Sequence, residues 1–486
     1  NDASIADVMI KSGFKPNEIS ASSWGSKPAL LVAAEKGNVD IVRFLVDQNA
    51  DIDAKHIGDT ALLRAAGNGQ LDIVKLLVAR NADLDAKNVS GENALFIAVK
   101  NGYLDIVRFL VNRNASLEAV KDNNETALIV ALPLCVGRGD VAIDIIKLLL
   151  DYDANVNARN SLGETPLMLA AMIPKNARRR IIPRSVSEKI AISSLSVIQL
   201  LINCGAKIDA QCYSQCTALM VAAQENNVKA LPLLVGSGNT INRRSVNGAT
   251  ALYIAASWGH VDSVSKLIEL GADVNIKANQ GDTPLIKAIK GVKREVAALL
   301  IKNAPPVDIN AVDGHGRTAL MTAVYKGDIE TVKLLLAKSP LLETKDDKGD
   351  SAFTLALRCS HPTKYFPTNE VFQFLLDHII SISQSGDPQL IFELVDVNSE
   401  SQLSNLLLSL LNRGLLGHDA FSSFLARDDY RLGEMISSEV LNEVIAEGPH
   451  KGQSVAFWLS SSIKTWPLLA NNNYRLCRMI TAEVLN

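Results

Sequence analysis

The chain has 486 residues, of which 48% are hydrophobic and only 5% are aromatic. Its 49 basic and 52 acidic residues leave a formal net charge of −3, which provides no global attraction to nucleic acid or to an anionic membrane. The longest purely apolar run, residues 127–136, is too short to cross a bilayer. Six cysteines in so long a chain are no disulfide framework, so we expect reduced thiols and a cytoplasmic location.

The predicted elements begin with an N-terminal helical cap at residues 1–22, whose helix covers Ile5 to Ile10. From residue 23 to about 380 the sequence repeats with a period close to 33 residues, and a turn position marks each period. The ten turn positions are 25, 58, 91, 124, 163, 215, 248, 281, 316 and 349.

Each period has the same content, which predicts two helices and a turn. A Thr such as Thr60 precedes the first helix and caps it through its hydroxyl, and an Ala pair such as Ala65–Ala66 allows close helix packing. The second helix places Leu, Ile and Val at helical spacing, and an Asn or Gly such as Gly271 then supplies a left-handed stop. One such unit cannot bury its own apolar face, so the array is the folding unit.

This period and content resemble the ankyrin repeat, whose first helix opens on Thr-Pro-Leu-His. Thr165–Leu167 and Thr283–Leu285 match the first three positions. The resemblance implies an all-α ankyrin-repeat solenoid of about ten helix-turn-helix repeats with β-hairpin turns. An apolar residue replaces the family's His, and we interpret it as a helix-packing residue. The replacements are Leu31, Leu63, Phe96, Ile129, Met168, Met220, Tyr253, Ile286 and Met321.

Insertions interrupt the fourth, fifth and tenth repeats, at residues 133–139, about 173–192 and 359–368. The fifth-repeat insertion is basic, and two interpretations of it stay open. The first is a contact for an acidic protein surface, for phosphoinositide headgroups or for nucleic acid, and the second is a solvated, mobile loop. Its cations are Lys175, Arg178, Arg179, Arg180, Arg184 and Lys189.

The 33-residue pattern stops at about Ser381, and residues 381–486 follow a different repeat. Tyr430–Leu432 and Glu439–Asn442 recur 44 residues later, as Tyr474–Leu476 and Glu483–Asn486. Their apolar residues lie at helical spacing, so we predict a C-terminal α-helical repeat segment. Because the second copy ends at the last residue, we expect the natural protein to continue.

No catalytic motif is present in the sequence: it has no metalloprotease, P-loop, nucleophile-elbow or dinucleotide signature. Cys212 and Cys216 are four residues apart without a nearby His, which argues against zinc. Cys359 and His361 are the one thiol–imidazole alternative, and residues two apart rarely present that geometry. We predict no catalytic residue, metal or cofactor, and leave open whether the full-length protein is an enzyme.

The resemblance also implies a partner-binding surface, because ankyrin proteins bind partners on the concave face made of hairpin tips and first helices. Large aromatic residues at positions that do not pack the solenoid are the best anchors. The predicted partner contacts are Tyr213, Trp258, Tyr325, Lys326, Gln224, Glu225, Lys290 and His56. The asparagine that oxygen-dependent hydroxylases modify in some ankyrin proteins corresponds to Asn157, Asn242, Asn275 and Asn310.

These features predict a protein–protein interaction scaffold with another protein as its partner, and we expect no nucleic-acid partner. The divergent repeats, insertions and second repeat type resemble bacterial ankyrin effectors delivered by type IV secretion, of the Legionella or Coxiella sort. That resemblance implies a eukaryotic host protein as partner and the host cytoplasm as location. A eukaryotic adaptor protein is the alternative source of such a sequence. The alternative is a targeting or substrate-recruiting module of an enzyme or membrane-associated effector, whose active part lies in the C-terminal segment or beyond residue 486.

Overall fold

The computed structural model describes residues 27–121, 123–136, 139–178, 184–236, 239–303, 306–359 and 370–382. The predicted N-terminal cap at residues 1–22 lies outside these ranges, and so does the predicted C-terminal repeat from residue 383 onward. The tenth-repeat insertion lies outside them from residue 360 to residue 369.

The described residues form ten helix pairs, one for each predicted period. Apart from two isolated bridges at the turns, His56 with Asp59 and Val312 with Thr318, the described part of the chain contains no strand pairing. In chain order the helices are α1 (Ala29–Lys36), α2 (Val39–Asp47), α3 (Ala61–Gly67), α4 (Leu71–Ala79), α5 (Ala94–Asn101), α6 (Leu104–Val111), α7 (Ala127–Ala131), α8 (Gly139–Asp151), α9 (Pro166–Arg178), α10 (Arg184–Asn203), α11 (Ala218–Gln224), α12 (Leu231–Leu234), α13 (Ala251–Trp258), α14 (Val261–Glu269), α15 (Pro284–Lys290), α16 (Arg294–Asn303), α17 (Ala319–Tyr325), α18 (Ile329–Leu336), α19 (Ala352–Cys359) and α20 (Glu370–Ile382).

Side-chain caps set the start of nearly every first helix. The Thr60 hydroxyl accepts a hydrogen bond from the backbone N–H of Leu63 at 3.3 Å, and the Asn93 side chain accepts one from Phe96 at 2.9 Å. Such a bond satisfies one of the N–H groups that a helix leaves without an internal partner. The predicted Thr caps are therefore confirmed. The same bond forms at Thr126, Thr165, Thr217, Thr250, Thr283, Thr318 and Ser351.

Left-handed residues end most of the second helices. Asn49 has a φ of 59°, and the next residue, Ala50, donates its N–H back to the carbonyl of Leu45 at 3.0 Å. Gly and Asn tolerate this conformation at low cost, so the chain stops its helix and turns into the next repeat. The predicted helix stops are therefore confirmed. They are Asn49, Asn81, Asn114, Asp153, Gly205 and Gly271.

The chain forms two compact units. The first contains the residues up to Ala255 together with Asp262–Asp273, and the second contains Ala256–Val261 and the residues from Val274. In the first unit α1 packs on α3 and α3 on α5; in the second unit α15 packs on α17 and α17 on α19. Each of the nine apolar residues that replace the family's His is buried, which confirms their predicted packing role. The predicted all-α repeat architecture is therefore confirmed.

The described part of the fifth-repeat insertion is helical. Helix α9 extends to Arg178 and helix α10 begins at Arg184 and runs for 20 residues, so the interpretation as a mobile loop does not hold for these residues. The inserted residues therefore lengthen two helices, because Lys, Arg, Ala and Glu all favour helix. Of the six predicted basic contacts, Lys175, Arg178, Arg184 and Lys189 lie within these helices. Arg179 and Arg180 lie outside the described residues.

The fourth repeat departs from the others at its first helix. Helix α7 has only five residues, and a 3₁₀ helix follows it from Leu132 to Val136. Pro133 lacks the N–H that an α-helix needs at this point, so the chain tightens into the 3₁₀ form. None of the described helices, in this repeat or in any other, is both long and apolar enough to cross a bilayer.

Candidate binding surface at the hairpin tips

Each repeat opens on a tight turn, which we call its tip. In the fifth repeat the Asn160 side-chain oxygen accepts hydrogen bonds from the backbone N–H groups of Leu162 at 3.0 Å and Glu164 at 2.9 Å. Gly163 donates its N–H to the Asn160 carbonyl at 2.9 Å and completes the turn. Both bonds hold the backbone, so the side chain of Leu162 at the apex is left for solvent or for a partner.

Neighbouring tips in the first unit are linked by backbone hydrogen bonds. Tyr213 donates its N–H to the carbonyl of Leu162 at 3.2 Å, and Val246 donates to Ser214 at 3.0 Å. Gly163 makes this approach possible, because a Cβ at that position would lie 3.0 Å from the backbone nitrogen of Tyr213, at a φ of 74°. Successive tips therefore form a row rather than separate loops.

The tips of the first unit carry exposed apolar side chains, which we call the tip ridge. Their relative exposure runs from 52% to 73%, although solvent exposure of large apolar groups is unfavourable. Leu162, Tyr213 and Val246 lie on successive linked tips, whereas the polar tip of the fourth repeat separates them from Ile57 and Val89. Exposed apolar side chains grouped in this way on a folded protein usually mark an interaction surface. The tip ridge consists of Ile57, Val89, Leu162, Tyr213 and Val246.

The tips of the second unit are polar instead. Asn279–Gln280, Gly314–His315 and Asp347–Lys348 occupy the exposed positions. Their backbones are linked as in the first unit, by bonds from Gly314 to Gln280 at 2.8 Å and from Asp347 to His315 at 3.0 Å. The turn is therefore common to both units, and the side chains differ.

Behind these polar tips a lysine is held between two buried carboxylates. The Lys290 ammonium lies 2.5 Å from Asp282 Oδ1 and 2.8 Å from Asp313 Oδ2, and the two carboxylates are 2% and 1% exposed. Burial alone would raise the pKa of Asp313, but hydrogen bonds from Lys290, Arg317 and His315 hold it below its ordinary value. Burial would lower the pKa of Lys290, and the two aspartates raise it instead. Lys290, a predicted partner contact, is therefore engaged within the repeat stack.

Two of the predicted aromatic anchors lie in the second unit and are exposed, Trp258 at 55% and Tyr325 at 42%. Each already has a neighbour on one face: the Trp258 ring stacks parallel to His260 with centroids 6.5 Å apart, and the Arg317 guanidinium lies 5.1 Å from the Tyr325 ring. Lys326 beside Tyr325 is exposed as well. These residues can reach a partner, and their role in binding stays a prediction.

The remaining predicted contacts divide between surface and interior. Tyr213 lies on the tip ridge at 70% exposure. The backbone of His56 exchanges two hydrogen bonds with Asp59, so His56 closes its tip and the neighbouring Ile57 presents the exposed side chain.

Glu225 corrects the expectation that its carboxylate is exposed. It is only 5% exposed and accepts a hydrogen bond from the half-buried Gln224 at 3.0 Å. Asn226 follows it at a φ of 56° and turns the chain back towards the second helix, so the end of α11 is drawn inward. Gln224 therefore stays a predicted contact, and Glu225 leaves the set of surface residues.

The four candidate hydroxylation sites join one repeat to the next. The side-chain oxygen of Asn157 accepts the backbone N–H of Lys207 at 2.8 Å, and that of Asn275 accepts the N–H of Asp308 at 2.8 Å. Asn242 and Asn310 bond to the following repeat in the same way. These asparagines therefore connect successive repeats by hydrogen bonds. Their hydroxylation stays a prediction.

A cavity of about 500 Å³ opens on the first unit between α5, the short α7 with its 3₁₀ extension, and α9. No sequence motif predicts this cavity. At its edge, Lys100 and Lys121 approach the buried Glu92 carboxylate at 2.9 and 3.8 Å. Burial would raise the pKa of Glu92, and hydrogen bonds from Lys100 and Asn88 bring it below its ordinary value. Leu162 of the tip ridge also lines this cavity.

Two of the described thiols are poor nucleophiles. Burial raises the pKa of Cys135 to about 11, and burial with the neighbouring Cys212 thiol raises the pKa of Cys216 to about 11. Such thiols are protonated at neutral pH and react slowly. No group of three or more His, Cys, Asp or Glu side chains that could hold a metal occurs in the described ranges. The Cys359–His361 pair lies outside the described side chains.

Capped helix pairs joined by hairpin tips define a helix-turn-helix repeat protein with an open binding surface. A family model described as ankyrin repeats in three copies matches residues 1–88, 189–278, 232–313, 275–348 and 303–386. A model of many ankyrin copies matches residues 68–111, and a model of the single ankyrin repeat matches residues 123–161. The chain belongs to the ankyrin-repeat family. No curated protein matches it.

Proposed function

We propose that the chain is a protein-interaction module that binds its partner through the tip ridge of the first unit. Membership of the ankyrin-repeat family implies a protein partner. The observation that carries the proposal is the set of exposed apolar side chains at the tips, three of which, Leu162, Tyr213 and Val246, lie on turns that are linked by backbone hydrogen bonds. At the tips of Val89 and Leu162 the side chains of Asn88 and Asn160 already hold the backbone by hydrogen bonds, so little conformational entropy of these tips would be lost when a partner binds.

The proposal is tested with a phage-displayed library of random peptides selected on the immobilised chain. The dissociation constant of an enriched peptide is then measured for the wild type and for a double variant, Leu162→Ser with Tyr213→Ser. We expect affinity to fall about thirtyfold or more, which corresponds to about 2 kcal/mol and is typical of interface hot spots. The matched control is Leu341→Ser, which removes an equally exposed apolar side chain from the second unit.

The result that contradicts the proposal is an enriched peptide whose affinity the double variant leaves unchanged. Failure to enrich any peptide would also contradict the proposal, because the exposed tip ridge should bind and enrich peptides with apolar sequences. A thermal melt of each variant keeps the result interpretable. We expect no change in the midpoint, because these side chains are already exposed to solvent in the folded state.

The proposal that the chain is a bacterial effector acting on a host protein is supported only by its divergent repeats, its insertions and its second repeat type. The lipid or acidic-protein contact is supported by the charge of the fifth-repeat insertion. The alternative function, a recruiting module for an enzyme, depends on the C-terminal segment, which lies outside the described residues.

A further inference from the structure

Two cysteines occupy facing positions of the tip that presents Tyr213. The backbone N–H of Cys212 donates to the carbonyl of Cys216 at 3.0 Å, and the N–H of Gln215 donates to the carbonyl of Cys212 at 2.8 Å. Gln215 has a φ of 57°, as expected for the last residue of a short hairpin loop. The two cysteines therefore close the turn as a hydrogen-bonded backbone pair.

The other tips show where the side chains of these two positions point. Asn160 and Glu164 share the same backbone bond, at 3.1 Å, and their side chains are joined at 2.8 Å. Asn88 and Glu92 repeat the arrangement, with a backbone bond of 3.0 Å and a side-chain bond of 3.1 Å. Side chains at the first and fifth positions of a tip therefore face each other, and in the Tyr213 tip both of them are thiols.

The spacing of this pair suits a disulfide. Residues that face each other across antiparallel backbone have Cα atoms about 4.5 to 5.5 Å apart, and disulfides join Cα atoms about 4.4 to 6.8 Å apart. The Cys212 thiol is close enough to contribute to the raised pKa of Cys216. Neither cysteine is buried, so a small oxidant can reach both thiols.

The Tyr213 tip lacks a support that its neighbour has. In the neighbouring tip the Asn160 side-chain oxygen accepts two backbone N–H groups. Cys212, at the equivalent position, offers only a sulfur, which is a weak acceptor. The Cys216 thiol makes a long contact of 3.8 Å with the carbonyl of Ser214. The turn that presents Tyr213 therefore depends mainly on its backbone bonds.

We propose that Cys212 and Cys216 form a reversible disulfide that stiffens the Tyr213 tip and strengthens partner binding by the tip ridge. A cross-link at the base of the turn replaces the support that asparagine supplies in the neighbouring tip. It also removes in advance conformational freedom that the tip would otherwise lose on binding. The effect on binding rests on the proposed function, whereas the disulfide and the stiffening of the tip do not.

The oxidant is a small-molecule disulfide such as oxidised glutathione. The Cys212 thiolate attacks one glutathione sulfur, which forms a mixed disulfide, breaks the glutathione S–S bond and releases the first glutathione. The Cys216 thiol then gives up its proton and attacks the Cys212 sulfur, which forms the protein disulfide and releases the second glutathione. Two protein thiols thus lose two electrons, one oxidised glutathione is reduced to two thiols, and the two protons leave on these thiols. Cys216 is mostly protonated at neutral pH, and its position beside the mixed disulfide offsets its low thiolate fraction.

Alkylation and mass spectrometry test the disulfide. The folded chain is equilibrated with oxidised glutathione, denatured without reductant, treated with iodoacetamide and digested with trypsin. Cleavage after Lys207 and Lys229 gives a peptide, residues 208–229, whose only cysteines are Cys212 and Cys216. We expect this peptide to be two hydrogens lighter than its reduced form and to carry neither alkyl groups nor glutathione. After treatment with excess reduced glutathione it should carry two alkyl groups.

Two further measurements test what the disulfide does. Hydrogen exchange at the tip amides of residues 213–216, followed by mass spectrometry without a partner, should be slower in the oxidised protein. The dissociation constant of a peptide selected on the chain should be about threefold lower for the oxidised protein. Cys212→Ser should remove both effects. Cys204→Ser, which removes an exposed thiol elsewhere in the first unit, should keep them.

A tryptic peptide that carries glutathione or two alkyl groups after oxidation would overturn the disulfide. Oxidation that closes the disulfide but leaves both tip exchange and peptide affinity unchanged would overturn its effect on the tip ridge. If that peptide still depends on Leu162 and Tyr213, the inference fails and the proposed function stands. If selected peptides ignore the tip ridge, the proposed function fails together with the effect on binding, and a disulfide that slows tip exchange survives.

Discussion

The two units use the same turn with different chemistry. In the first unit Asn88 and Asn160 accept the two backbone N–H groups that hold the tip, and in the second unit Asp313 and Asp346 accept the equivalent pair. An asparagine also donates, so Asn160 bonds to Glu164 at 2.8 Å without any cation. An aspartate cannot donate and instead needs a cation nearby. Lys290 supplies it to Asp313, and Arg317 supplies it to Asp346 at 3.2 Å.

The tips of the two units also differ in what they offer a partner. Both units pair cations with their own carboxylates, as Lys290 does in the second unit and Lys100 does with Glu92 at 2.9 Å in the first. The second unit exposes polar tips, whereas the first exposes apolar tips that contribute little to its own folding, because they stay in contact with water. The comparison therefore favours the tips of the first unit as the proposed binding surface.

Asn160→Asp should lower the free energy of unfolding more than any other variant considered. It places in a first-unit tip the aspartate found in second-unit tips, but without the cation that pairs with that aspartate there. The new carboxylate would face the Glu164 oxygen that now lies 2.8 Å from the Asn160 amide nitrogen. We expect a loss of about 3 kcal/mol at pH 7 in urea denaturation, which shrinks as pH falls and one carboxyl is protonated. The control is Asp313→Asn, which keeps the turn's hydrogen bonds and leaves Asp282 to pair with Lys290. A loss for Asp313→Asn as large as that for Asn160→Asp would break the comparison.

Lys290→Met should come next, with a loss of about 2 kcal/mol at pH 7, because two buried carboxylates lose their shared cation. This expected loss of stability is smaller than for a fully buried ion pair, because the Lys290 side chain is 31% exposed. Urea denaturation of Lys326→Met, which changes an exposed lysine of the same unit, gives the reference. Equal stability of the two variants would show that the Lys290 pairs contribute nothing.

The pH dependence of that loss has a defined sign. The pKa of Asp313 is held below its ordinary value, so its contribution is present above about pH 4 and is lost as pH falls through the folded-state pKa. The pKa of Lys290 is raised, so its contribution is present below about pH 10 and is lost as pH rises through its folded-state value. The stability difference between wild type and Lys290→Met should therefore be widest between about pH 5 and pH 9. A constant difference from pH 2 to pH 7 would indicate lost packing instead of lost charge.

Asn275→Ala should cost about 1 kcal/mol, because it removes two bonds to the next repeat, from Asp308 N–H at 2.8 Å and to the Pro306 carbonyl at 3.0 Å. The reference variant is Gln280→Ala at an exposed tip of the same unit. If hydroxylation of Asn275 occurs, mass spectrometry will detect the added oxygen, and the thermal midpoint of the modified protein tests whether the bonds survive. A variant as stable as the reference would remove the asparagine's role between repeats.

Trp258→Ala should give the smallest effect, a severalfold weakening of partner binding with an unchanged melting temperature. Trp258 is exposed and belongs to the second unit, not to the proposed tip ridge, so we expect it to contribute less than the ridge residues. Isothermal titration with a peptide selected as described above measures the change. Unchanged affinity would remove Trp258 from the binding surface, and a loss larger than that of the Leu162 and Tyr213 double variant would transfer the main contact to the second unit.

Most of the fold could be predicted from the sequence because each repeat is specified locally. Thr60 and its equivalents start helices through their own side chains, and Asn49 and its equivalents end them through their own backbone conformation. Both signals lie within a few residues of the structure that they determine. The helical form of the fifth-repeat insertion was missed, because a run of charges was given more weight than its helix propensity.

Less of the candidate site could be predicted. The positions of the tips follow from the period, and Tyr213 was identified, but aromatic size was favoured over the aliphatic Ile57, Val89, Leu162 and Val246. The ion pairs of Lys290 join residues from separate repeats, Asp282 and Asp313, so no single motif reveals them. The cavity lies beside the short helix α7 and the 3₁₀ helix that contains Pro133, and the burial of Glu225 depends on the backbone conformation at the end of α11. The sequence pattern alone predicts neither the cavity nor this burial.

The assignment of binding to the tip ridge is tested most directly by titrating one selected peptide against three proteins. These are the wild type, the double variant Leu162→Ser with Tyr213→Ser in the first unit, and Leu341→Ser in the second. We predict an affinity about thirtyfold lower for the double variant, wild-type affinity for the control, and equal melting temperatures for all three. An affinity that the double variant leaves intact, or one that the control lowers equally, would contradict the assignment.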